Sequence, residues 1–88
     1  MANSYSLETL REALAMNRLR IATLIGDLSR SVAILTADIE DEEIRSGTRD
    51  LADPNYPMLA RNLRARKDNM EATIASLEAL VQGTSNAA

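Results

Sequence analysis

The chain has 88 residues, 45% hydrophobic and 26% charged, with a formal net charge of −3 and a pI near 4.8. That length allows at most one domain, and the acidic balance argues against nucleic acid or an anionic membrane as partner. With no cysteine and no histidine there is no disulfide, no thiolate chemistry, no usual proton shuttle and none of the commonest metal ligand.

The opening residues MANSYSLETL lack a basic region followed by an apolar run, so no secretory signal is expected. No long uncharged apolar run is available to span a bilayer. The expected address is therefore the cytoplasm. Tyr5 and Tyr56 are the sole aromatics, so a core must come from Leu, Ile, Val, Met and Ala, which suits packed helices better than sheets.

After a short polar lead, residues 1–5, a first helix is predicted over about 7–45. Ser6 fits an N-cap, Glu8 suits the positive end of the helix dipole, and Tyr5 with Leu10 matches a hydrophobic staple. The stretch contains no proline, and Leu7, Leu10, Leu14, Ile21, Leu24, Ile25, Leu28, Val32, Leu35 and Ile39 form one apolar stripe. Such a helix spans about 58 Å. Leu10, Ile21 and Val32 recur at eleven, as do Leu14 and Ile25, Leu24 and Leu35, and Leu28 and Ile39. That period nearly matches a straight helix. A strict heptad zipper fails, because Asn17, Ser31, Asp38 and Glu42 fall on its seam. Ala15, Leu19, Ala22, Gly26, Ala33, Ala37 and Ile44 form a second, smaller face. On this face Gly26 is either tolerated or marks the approach of another backbone.

Gly47 is expected to end the helix. Residues 46–57, SGTRDLADPNYP, hold both prolines and read as the connection, with Leu51 as an anchor. A second helix follows over about 57–82, with Pro54 or Pro57 in its first turn and Gly83 as its stop. Its stripe is Leu59, Leu63, Met70, Ile74, Leu77 and Val81. Residues 1–5 and 83–88 are expected to be flexible.

The fold class is therefore all-α: one antiparallel two-helix hairpin over residues 1–88. Pairing from the connection outward sets Asp38, Glu40, Asp41, Glu42 and Glu43 beside Arg61, Arg64, Arg66 and Lys67. Each exposed pair is worth only about 0–1 kcal/mol, but together they favour this register. On this register the second helix runs out near residue 20, leaving Leu7, Leu10 and Leu14 uncovered. Burying each is worth about 1.5–3 kcal/mol, so a homodimer forming a four-helix bundle is expected. Its interface and core would draw on Leu7, Leu10, Leu14, Ile21, Leu24, Leu28, Val32, Leu35, Ile39, Leu63, Met70, Ile74, Leu77 and Val81.

Motifs for chemistry are weak. The acidic run 38–43 lacks the interleaved glycine of a hard-cation loop, and without histidine no di-iron bundle site can form. Ser29, Ser31 and Ser46 have no activating base, and no glycine-rich phosphate loop occurs. No enzyme activity, cofactor, metal or small-molecule substrate is expected. The basic run 61–67 could contact phosphates, which keeps a nucleic-acid-associated regulator as the alternative reading, but it has no aromatics to stack bases.

Residues 42–69 contain Glu42-Glu43, Arg45, Gly47, Asp53-Pro54, Tyr56-Pro57, Ala60-Arg61, Arg64, Arg66-Lys67 and Asp68-Asn69. This segment resembles the hairpin turn of FliJ-type flagellar export proteins of alphaproteobacteria, small cytoplasmic coiled-coil hairpins associated with a type III export apparatus. The resemblance implies an adaptor or chaperone that presents a hairpin face to another protein, and it implies no catalytic residue. The expected function is non-enzymatic: self-association and protein–protein contact with an unidentified partner.

Overall fold

The structure, a computed structural model, describes residues 6–86, with side chains as far as Gly83. Two helices, α1 (Leu7–Ser46) and α2 (Met58–Asn86), pack as a hairpin. Among the described residues there is no strand, and no helix is long and apolar enough to cross a membrane.

Local chemistry sets the ends of α1. The Ser6 hydroxyl accepts from the Thr9 amide at 3.1 Å and so satisfies one of the first-turn donors. At the other end Gly47 adopts φ +80°, and its N–H donates to the carbonyls of Glu43 and Ile44 at 2.9 and 3.3 Å. A side chain would strain that left-handed conformation.

The connection is a pair of turns. Asp53 N donates to Asp50 O and Tyr56 N to Asp53 O, both at 3.0 Å. The side chains of Asp50 and Asp53 brace them by accepting from the amides of Ala52 and Asn55. Pro57 stands just before α2, where its carbonyl accepts from Arg61 N at 3.2 Å and its missing N–H costs nothing. Pro54 lies in the turn instead. Leu51, expected as the anchor, has an exposed side chain, and the buried one is Tyr56.

Gly83 does not stop α2, which continues to Asn86. Gly47 is the glycine with positive φ; a glycine that keeps helical angles weakens a helix without ending it. The expected flexible ends at 1–5 and 87–88, with the Tyr5 staple, lie outside the described residues.

Burial is concentrated near the connection. Leu35, Ile39 and Leu63 form the buried apolar cluster, with Met70 packed against it. Tyr56 and Ala60 are also buried, Ala60 with 0% of its surface exposed. Farther along the hairpin Ile21, Ile25, Leu28, Val32, Ile74, Leu77 and Val81 are half-buried, and Leu24 is exposed. From residue 6 to residue 20 every side chain is exposed.

The molecule is a rod of 66 × 22 × 18 Å with a radius of gyration of 19.8 Å. A compact chain of this length would have about 12 Å. Of the two readings of Gly26, the approach of another backbone does not occur within one chain: a Cβ there would meet only the Arg30 guanidinium, at 3.8 Å.

Candidate functional site

The loop end of the hairpin is closed by a buried polar node. Leu35, Ile39 and Glu43 follow one another at intervals of four, so they share the face of α1 that meets α2. Glu43 is 4% exposed. Its Oε2 accepts from the Tyr56 hydroxyl at 2.8 Å and from Arg64 Nη2 at 2.6 Å. Arg64 Nε donates in turn to the Tyr56 oxygen at 2.7 Å. Arg49 Nη1 stands 3.8 Å from the second carboxylate oxygen.

The Arg64 guanidinium, then the Tyr56 hydroxyl, hold the Glu43 carboxyl below its ordinary range, against the opposing effect of burial. The Glu43 carboxylate, then the Tyr56 hydroxyl, raise Arg64 above its ordinary value. With both carboxylate oxygens engaged by cations and a hydroxyl, Glu43 joins the two helices and the connection at one point.

The expected meeting of acidic and basic clusters contracts to this single direct pair. Glu42 turns to Arg45 on its own helix, at 3.5 Å. Arg61 leaves the pairing altogether: it lies over the Tyr56 ring at 5.3 Å and donates to the Leu51 carbonyl. Glu40 and Lys67 line the groove beside the node, and Asp38 and Arg66 line the groove on the other side, beside Leu35 and Met70. The clusters therefore flank the same seam, but a side chain on the shoulder of a helix stays in water, where ion pairing contributes little. The basic run 61–67 is also divided: Arg64 is engaged in the node, the exposed Arg61 donates to the connection, and Arg66 lines another groove.

Among the described residues no group of three or more His, Cys, Asp or Glu side chains is gathered.

Sequence reasoning missed Tyr56 as a structural residue. Its signal was present: an amphipathic aromatic between Pro54 and Pro57 in a chain with two tyrosines. The apolar stripe of α1 ends at Ile39, and the buried Glu43 continues it by one more step of four.

Two surfaces remain. One is the N-terminal arm of α1, residues 7–20, with Leu7 69%, Leu10 45% and Leu14 52% exposed. The other is a groove of about 280 Å³ between the helices, lined by Ser29, Val32, Ile74 and Ala75 together with Glu71 and Glu78. Compared with known proteins, the chain matches no family model, no curated protein and no solved structure.

Proposed function

We propose that the protein is a non-enzymatic contact module of the cytoplasm, which self-associates and presents helix faces to another protein. The observation that supports this most is the exposed arm. It is a regular extension of a capped helix, carrying three leucines that gain about 1.5–3 kcal/mol each when covered. A helix continuous from Leu7 to Ser46 cannot bend its first turns back onto its own hairpin.

Within this reading, the resemblance of residues 42–69 to FliJ-type hairpins supports an adaptor of a secretion or flagellar export apparatus. The nucleic-acid alternative is weakened by the division of the basic run and by the net charge of −3.

The test is mass in solution, by sedimentation and light scattering across a concentration series. A dimer at micromolar concentration is expected. A folded monomer throughout that range overturns the proposal.

A further inference from the structure

The arm and the distal groove carry complementary chemistry. Arg11 and Arg18 each follow a leucine of the arm, Leu7 and Leu14, by four residues, so both arginines border the stripe on the same side. They stand seven residues, about 10.5 Å, apart. On α2, Glu71 and Glu78 stand the same seven residues apart, on either side of Ile74 in the chain, and all three line the groove. All four charged side chains are exposed. Beyond Lys67, α2 carries Asp68, Glu71 and Glu78 and no basic residue as far as Gly83, whereas the arm carries three arginines against two glutamates.

Area points the same way. The chain exposes 6498 Å², against about 5,100 Å² for a compact protein of its mass. Shedding that excess from two copies would bury an area typical of homodimers, roughly 2,000 Å² or more.

We infer that the arm of one copy docks in the distal groove of a second copy. The leucines cover Val32, Ile74 and Ala75, and Arg11 and Arg18 face the partner subunit's Glu71 and Glu78. Equal spacing allows both pairs to form whichever way the arm runs along α2. This inference rests on the self-association proposed above, and it assigns the surface that performs it.

Charge exchange tests it. R11E/R18E places acids opposite acids, and E71K/E78K places bases opposite bases. Each variant alone should dimerise about thirtyfold more weakly than the parent chain at low salt, or worse. An equimolar mixture should form a heterodimer, because both of its arm–groove contacts are then complementary. A chain carrying all four changes should dimerise like the parent. Circular dichroism on each variant checks that helicity is retained. Unchanged dimerisation of the two variants overturns the docking mode while leaving self-association intact. Weakening without recovery in the mixture or in the fourfold variant also overturns it, since the charges then do not meet. A parent chain that stays monomeric removes the underlying reading, and this inference with it.

Discussion

Glu43 and Arg64, 21 positions apart in the chain, meet at 2.6 Å, and this pair sets the register of the hairpin. Twenty-two residues back along α1 from Glu43, and the same number forward along α2 from Arg64, lie Ile21 and Asn86, the last described residue of α2. The side chains of residues 6–20 are all exposed. The reach of the arm is thus fixed by where one buried carboxylate finds its partner.

Removing the Tyr56 hydroxyl should loosen that node. Tyr56→Phe keeps the ring beneath Arg61 but deletes one donor to Glu43 and one acceptor for Arg64. A loss of about 1–2 kcal/mol is expected from urea denaturation. Glu43→Gln should lower stability further, because it leaves the Arg64 guanidinium without its counter-charge in a partly dry site. Equal or smaller loss for Glu43→Gln would show that the carboxylate is not the hub.

The same node predicts an acid response. The Glu43 carboxyl titrates below its unfolded value, near 4.5, because the folded state favours the charged form. Its contribution is present above that value and is lost as pH falls through the lower, folded value. The stability difference between the parent chain and Glu43→Gln should therefore be full at neutral pH and shrink steadily below about pH 4.5. Thermal melts across that range measure it, and a difference independent of pH would contradict the assignment.

Ala60 is the most fully buried of the described core residues. With no exposed surface, it leaves no room for a larger side chain, so Ala60→Leu should cost about 1–3 kcal/mol through overpacking. Ala65→Leu, at an exposed position of the same helix, should be nearly neutral. Similar effects at both sites would mean that the helices do not close upon Ala60.

Leucines at the two ends of α1 should behave differently. Leu35→Ala should destabilise the hairpin by about 2–5 kcal/mol, since Leu35 belongs to the buried cluster. Leu14→Ser should leave the loop end folded yet weaken the proposed association by about 1.5–3 kcal/mol per copy, because Leu14 is 52% exposed in the single chain and would be covered in the proposed dimer. Concentration-dependent melting separates the two, since only the second effect acts through dimerisation.

Gly26→Ala should stabilise the chain by roughly 0.5–1 kcal/mol through helix propensity. The added methyl would meet only a flexible arginine end at 3.8 Å. A lower melting temperature for the assembled protein would reveal another backbone packed against this face.

Much of the architecture was legible in the residues because it is local. Ser6 and Gly47 cap α1 by contacts within four residues of themselves, and the three-and-four spacing of leucine and isoleucine is a property of a single helix. Gly83 reads as a second stop in the sequence, but Gly47 caps its helix by adopting the left-handed conformation and Gly83 does not adopt it.

The polar node was not legible, because it depends on how two helices are rotated about their own axes. Glu40, Glu42 and Glu43 are near neighbours in the chain, and all were expected to pair across the seam. A rotation of 100° per residue puts Glu43 in line with Leu35 and Ile39, while Glu40 is exposed and the half-buried Glu42 pairs with Arg45 on its own helix. Local patterning thus determined two helices, the first capped at both ends, and the stripe that joins them. Tertiary packing alone decided which carboxylate is buried, that Tyr56 rather than Leu51 secures the connection, and which leucines remain uncovered.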